Sequence, residues 1–339
     1  TSAADSFLFK PGDAIRTAVP ARIGYWLKKP PQSMKLEILD SKGQVVRTFE
    51  GALPGAGGRG RGRGAVDGRA QAAQGGRAAE AGGRAEAAQG GRAAEAGRGG
   101  NEEQPQTEDE EGGGRGRGGP QTATMAAGMQ RFTWDLQSQP VVNFPGMVLW
   151  GATQNGPIVL PGTYTARLTV DGKTQTQSFT VNKHPYHTAS DADLQFQYDL
   201  ATQIRDKVNE ANNAIIQIRR IKTALADRVS KTTNADAKAI AEELQKELTA
   251  VEVDVYQVKN QSNQDPLNFP IRTNNRLASL LRVVLAGDGR PTSNTTPIFN
   301  DLKKELQVEM DRLDKTLTTL LPRFNQAAQR AGLEPISEK

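Results

Sequence analysis

Pro161-Gly162-Thr163-Tyr164-Thr165-Ala166-Arg167-Leu168-Thr169-Val170-Asp171-Gly172 decides the fold class of the first half. Tyr164, Ala166, Leu168 and Val170 alternate with Thr163, Thr165, Arg167 and Thr169, the period of a strand with one buried face. Asp171-Gly172 supplies the two positive-φ positions of a type I′ turn, and Thr174 to Val181 reads as the return strand. The same pattern extends toward the N-terminus. Phe132-Thr133-Trp134-Asp135-Leu136 alternates, as does Met34-Lys35-Leu36-Glu37-Ile38-Leu39. Asp40-Ser41-Lys42-Gly43 turns the chain into Val45-Val46-Arg47-Thr48-Phe49. Arg22-Ile23-Gly24-Tyr25-Trp26-Leu27 is a further strand, ended by Lys28-Lys29-Pro30-Pro31. Short strands with Gly/Pro turns and no helices between them predict an immunoglobulin-like β-sandwich.

One stretch interrupts the strands. Of the 35 Gly, 23 lie between Gly51 and Gly119, and no aromatic residue occurs between Phe49 and Phe132. Gly-Gly-Arg-Ala units recur from Gly75, Gly82 and Gly90. Such a composition buries too little surface to offset an ordering cost of roughly 1–2 kcal/mol per residue. Residues 51–128 are therefore expected to be a disordered, low-complexity loop insertion. Loop closure costs grow only with the logarithm of length, so a sandwich can carry it.

From Ser190 the period becomes helical. Ser190 and Asp193 have the spacing of a capping box. Apolar or small residues then recur at 194, 198, 201, 204, 208, 211, 215, 218, 221 or 222, and 225, a long heptad seam. A second seam follows Asn234 through Ile240, Leu244, Leu248, Val251, Val255 and Val258. Asp265-Pro266-Leu267-Asn268-Phe269-Pro270 breaks it. A third helix is expected from about Ile271 to Ala286. A fourth carries Phe299, Leu302, Leu306, Met310, Leu313, Leu317 and Leu320, with a kink or restart at Pro322 and an end at Gly332. The whole reads as a multidomain β plus α chain: a sandwich over residues 20–50 and 129–183, the insertion over 51–128, a linker over 184–189, and an antiparallel bundle of about four helices over 190–339.

The 339 residues carry 43 Lys and Arg against 38 Asp and Glu, too mild an excess to imply a polyanionic partner. The lack of Cys excludes disulfides, thiolate metal sites and a Cys nucleophile. No apolar run has the length of a membrane span. His184 and His187 are the only histidines. A metal site there would need Asp191 or Asp193 as a third ligand, and Pro185 keeps the pair off a regular helix. No nucleophile elbow accompanies them. Glycoside hydrolysis needs two carboxylates about 5–10 Å apart. Glu242, Glu243, Glu252 and Asp254 read instead as solvated helix faces, and Asp135 as a strand-end group that accepts from backbone. Trp26, Trp134, Trp150 and Tyr164 are expected mainly in the sandwich core rather than on a sugar-stacking platform, with Trp150 the most exposed. Arg59-Gly60-Arg61-Gly62-Arg63-Gly64 and Arg115-Gly116-Arg117 resemble RNA-binding segments. The insertion's ten Arg are matched by ten acids, Glu108-Asp109-Glu110-Glu111 among them, and no aromatic is interleaved. No catalytic, cofactor-binding or metal residue is assigned.

Several motifs in sequence carry a family resemblance. They are Leu8-Phe9-Lys10-Pro11, Ile23-Gly24-Tyr25-Trp26-Leu27, Leu36-Glu37-Ile38-Leu39-Asp40, Arg131-Phe132-Thr133-Trp134-Asp135-Leu136, Pro161-Gly162-Thr163-Tyr164, Ile204-Arg205-Asp206-Lys207-Val208-Asn209-Glu210-Ala211 and Asp265-Pro266-Leu267-Asn268-Phe269-Pro270. In that order they resemble the C-terminal region of exported bacterial proteins with sortilin-like β-propellers, often labelled glycosyl hydrolases of the BNR repeat type. The Pro-Gly-Thr-Tyr hairpin also resembles the Ig-like module of flagellar hook-capping proteins. The resemblance implies that residues 1–19 are the exit from an upstream propeller. It further implies an exported location and a non-catalytic structural and interaction role. The partners it implies are the propeller, other protein subunits or cell-surface components. The rival readings are a hydrolase whose active site lies in the propeller, and an RGG-type nucleic-acid binder.

Overall fold

The computed structural model describes residues 5–53, 121–262 and 264–338, and it contains both β-sheets and four α-helices. Among the described residues nine strands precede the helices: β1 Ser6–Leu8, β2 Ala14–Ile15, β3 Ala21–Leu27, β4 Met34–Leu39, β5 Val45–Ala52, β6 Ala123–Thr124, β7 Gly128–Trp134, β8 Gly162–Val170 and β9 Lys173–Asn182. One sheet has the order β1-β3-β7 and the other β2-β9-β8-β4-β5-β6. The expected hairpin forms in register, Val170 opposite Lys173, with Asp171 at φ 45° and Gly172 at φ 81°. The Asp171 carboxylate accepts the N–H groups of Gln32 and Ser33, both at 2.9 Å, which ties the turn to the approach to β4.

The two sheets share one core. Trp134 from β7 meets the rings of Tyr164 and Phe179, and Phe132 meets Phe49 at 4.5 Å. Tyr25 is buried there with its hydroxyl donating to the Thr124 carbonyl at 2.7 Å, and burial pushes its pKa up to about 12. Residues 5–19 pack into this unit as well. Leu8 and Ala14 are fully buried, β1 pairs with β3, and β2 runs parallel to β9. The insertion boundaries also shift. Gly51 and Ala52 pair in parallel with Ala123 and Thr124, while Ala123 and Met125 lie in the core. A Cβ at Gly51 would stand 2.8 Å from the Met34 carbonyl oxygen and 2.7 Å from the Met125 sulfur, so the fixed backbone of β4 leaves room only for Gly. Residues 54–120, with the expected disorder, the Arg-Gly runs and the acidic tract, lie outside the described residues.

The helices are α1 Asp191–Ser230, α2 Ala235–Val255, α3 Thr273–Val284 and α4 Thr295–Arg330. Ser190 and Asp193 close the expected capping box, and the Asn234 side chain caps α2. α4 passes through Pro322 without restarting. It ends in a Schellman motif, with Gly332 at φ 74° and the Leu333 N–H donating to the Ala328 carbonyl. α2 and α3 lie in series along α1. Glu252 near the end of α2 meets Arg219 and Lys222, Asn274 near the start of α3 meets Asn212, and Gln197 donates to the Val284 and Gly287 carbonyls. Residues 256–272 interrupt this rod where the Asp-Pro-Leu-Asn-Phe-Pro stretch predicts a break.

A loop from the β region fills the break. Val141 and Phe144, between β7 and β8, are buried in the helical core, with Met147 and Leu149 packed against it. The Phe144 ring stands edge-on to Tyr256 at 5.0 Å, beneath the Arg219 guanidinium at 4.8 Å. Backbone polarity is satisfied by buried or half-buried amides. The Val142 N–H donates to Asn209 at 2.7 Å, Asn212 donates to the Val142 carbonyl at 2.8 Å, and the Asn275 amide exchanges two 2.8 Å bonds with the Trp150 backbone. The strands and helices therefore form one compact unit, joined by this loop as well as by the 184–189 linker.

Candidate interaction surface

Strand parity builds an apolar surface on the outer face of the β1-β3-β7 sheet. Ile23, Tyr25 and Leu27 point into the core, so Arg22, Gly24, Trp26 and Lys28 point out. Phe7 pairs with Trp26 and Trp26 with Met129, which sets three large side chains in one cross-strand row. Phe9 lies in the next row, its N–H bonded to the Gly24 carbonyl and its ring 4.8 Å from Phe7. Gly24 makes the seat: a Cβ there would come within 3.3 Å of the Met129 methyl and 3.7 Å of the Phe9 ring. Phe7 is 47% exposed and Met129 60% exposed, while Trp26 is half-buried between them. Arg22 and Arg131 stand exposed on the same face, and Lys28 at its end pairs with Asp5 at 3.7 Å.

The sequence reasoning missed this surface because it grouped the aromatics by type rather than by parity. Trp134 and Tyr164 are in the core as expected, Trp150 is exposed as expected, and Trp26 is on the outer face rather than in the core. The four do not assemble into a platform. Alternation along Ile23-Gly24-Tyr25-Trp26-Leu27 was the available signal.

The remaining candidates have structural partners. Asp135 accepts from the Gln137 N–H and from Arg47, both at 3.2 Å, as a strand-end carboxylate does. The His184 and His187 rings stack at 4.2 Å. Asp193 is committed to the helix cap and Asp191 turns to Lys183, so the structure does not bring the four together. His187 instead bonds Asp288 at 2.7 Å, and Asp288 is ion-paired with the buried Arg16. Arg16 also donates to the Val159 carbonyl and to Gln197, and its burial lowers its pKa.

Glu252 departs from the solvated-face reading, being buried between Arg219 at 2.7 Å and Lys222 at 2.9 Å. Glu37 is another buried acid, held by Arg167 and Lys35 at 2.8 Å each. Its burial alone would raise the pKa, but the hydrogen bonds from Arg167 and Lys35 outweigh that and keep the carboxyl below its usual range. Burial raises the pKa of Glu309, with neighbouring Asp254 adding to the effect and Arg312 opposing it. A cleft of about 420 Å³ lies between the Asp40 turn, the start of β8 and α1, lined by Lys42, Tyr164, Tyr198 and Asp199 among others. Burial is the main cause of the raised pKa of both tyrosines. No helix of the described residues is long and apolar enough to cross a membrane. Comparison with known protein families, curated proteins and solved structures returns no match.

Proposed function

We propose that this chain is a non-catalytic structural and protein-interaction region of a larger exported protein, with a sortilin-like β-propeller upstream as its partner. The observation that carries the proposal is the row Phe7, Trp26 and Met129, exposed at both ends with Trp26 half-buried between them, on a sheet whose edge strand β1 lies nearest the N-terminus of the described residues. Contiguous exposed apolar groups of this kind mark surfaces that a partner covers. The strand order supports an Ig-like reading of the β region. The first segment switches sheets, β1 pairing with β3 and β2 running parallel to β9, and the β9-β8-β4-β5 order follows. The helices, bound to the β region through Phe144 and Asn275, serve as a rigid buttress.

The test compares this chain with a version extended upstream. In the extended protein, oxidative labelling of Met129 and Phe7 should fall several-fold, with labelling of the helices unchanged. Equal labelling in both would remove the face as the partner surface. The isolated chain should also hydrolyse no glycoside, ester or peptide reporter. Turnover that disappears in Asp135→Asn would make this an enzyme.

A further inference from the structure

We propose that the outer face of β1, β3 and β7 binds a protein surface with an apolar centre and an acidic rim, an inference that rests on the interaction role proposed above. The argument is the distribution of charge around the row. Arg22 on β3 and Lys28 just beyond its end stand on either side of Trp26. The acid at the same end, Asp5, is shared between Lys28 at 3.7 Å and Lys173 at 3.6 Å. The centre is Phe, Trp and Met and the flank is Arg, the side chains enriched where protein partners meet. A cationic rim favours a partner with carboxylates at its own rim, which raises the encounter rate and fixes the register.

Other occupants fit less well. A second copy meeting this face across a two-fold axis would set one cationic rim against another. A nucleic-acid strand needs open ring faces for its bases. Here Phe7 and Phe9 meet edge-on at 71°, and Trp26 is flanked by Phe7 and Met129. A partner strand added to β1 is also disfavoured, because side chains from β9 already occupy that edge. Gln175 accepts from the Leu8 N–H at 2.9 Å and donates to the Ser6 carbonyl at 3.0 Å, and Gln177 donates to the Leu8 carbonyl at 3.3 Å. The partner therefore meets the side chains of the face.

The test selects a displayed random-peptide library on the immobilised full chain. The recovered peptides are then measured against wild type, Arg22→Glu, Phe7→Ser and Trp26→Ser. The expected peptides place Asp or Glu on either side of aromatic or aliphatic residues. Their affinity should fall on the order of tenfold in Arg22→Glu and at high salt, and further in Phe7→Ser and Trp26→Ser. Helical circular dichroism should stay unchanged in all three variants, and Phe7→Ser remains as the apolar test if Trp26→Ser fails to fold. Neutral peptides that bind the face and ignore Arg22→Glu would overturn the acidic rim and leave the interaction role standing. Peptides that bind wild type, Phe7→Ser and Trp26→Ser alike, or the absence of any binder, would overturn both. A labelled oligouridylate that binds wild type, is displaced by salt and is lost in Trp26→Ser, with no acidic peptide recovered, would make the ligand a nucleic acid and overturn the proposal.

Discussion

Replacing Phe144 with Ala should destabilise the strands and the helices together. Phe144 is 5% exposed and sits in the helical core although it belongs to the loop between β7 and β8. Its ring packs edge-on against Tyr256 at 5.0 Å and beneath Arg219. Truncating a buried Phe to Ala costs about 3–5 kcal/mol, the lower end applying where the surroundings close in. Arg219, which also lies over Tyr256 at 5.4 Å, keeps one of its two ring contacts, and the lower figure is taken as the minimum expected loss. A loss of about 3 kcal/mol corresponds to a fall in Tm of roughly 6–12 °C for a unit of this size class. The assay is thermal unfolding followed by far-UV circular dichroism for the helices and by Trp fluorescence for the β core, where Trp134 is fully buried. The two signals should coincide in wild type and move down together in the variant. Asn143→Ala, one residue away and exposed, should shift neither. A Phe144→Ala transition within about 1 °C of wild type would refute the place of this loop in the helical core, against the roughly 2–4 °C expected per kcal/mol. Loss of the fluorescence transition alone would refute the coupling.

Replacing residues 54–120 with a short Gly-Ser segment should leave Tm within a few degrees, measured by calorimetry. Extending the same deletion to residues 51–128 should abolish the cooperative transition, since Ala123 and Met125 are core residues. Leu244→Asp and Leu306→Asp, both at fully buried positions, should each cost several kcal/mol and unfold the helices as seen at 222 nm. Glu37→Gln should lower stability at neutral pH by about 1–3 kcal/mol in urea titrations. The folded Glu37 carboxyl lies below its ordinary value. Its contribution is thus complete above the unfolded carboxylate pKa of about 4.3 and is lost as pH falls through the folded value, so the variant and wild type should converge in acid.

The sequence revealed most where one period ran unbroken. Asp171-Gly172 located its hairpin to the residue, and Ser190, Asn234 and Gly332 marked three helix ends, because each has a local cause. The seams through Leu194, Ile204, Val208, Ile218 and Leu225 and through Leu302, Leu306 and Leu317 are the buried faces observed. Residues 137–161 have no period, and their structure comes from contacts far along the chain, Val142 with Asn209 and Trp150 with Asn275. Buried polar groups were equally hidden. Asn212, Asn275 and Glu252 look like surface residues until their partners are known. The first strand escaped notice because three residues are too few to show alternation, and its pairing with β3 is nonlocal. The candidate surface was half legible. Parity along residues 22–27 sends Trp26 outward, but only the register of β1 and β7 sets Phe7 and Met129 beside it.

The buried Arg16 has a consequence for how this chain is made. Its guanidinium is neutralised and bonded only when residues far downstream arrive: the Val159 carbonyl, then Gln197, which lies 181 residues further on, and last Asp288. At synthesis rates of about 5–20 residues per second, Gln197 follows Arg16 off the ribosome by roughly 10–40 seconds. For most of that interval β2 lacks its β9 neighbour and the adjoining Arg16 lacks partners for its charge, although β1, β3 and β7 are all complete once Trp134 has been made. A chain truncated before Lys173 therefore leaves Arg16 without Gln197 or Asp288, and β2 without the strand it pairs with.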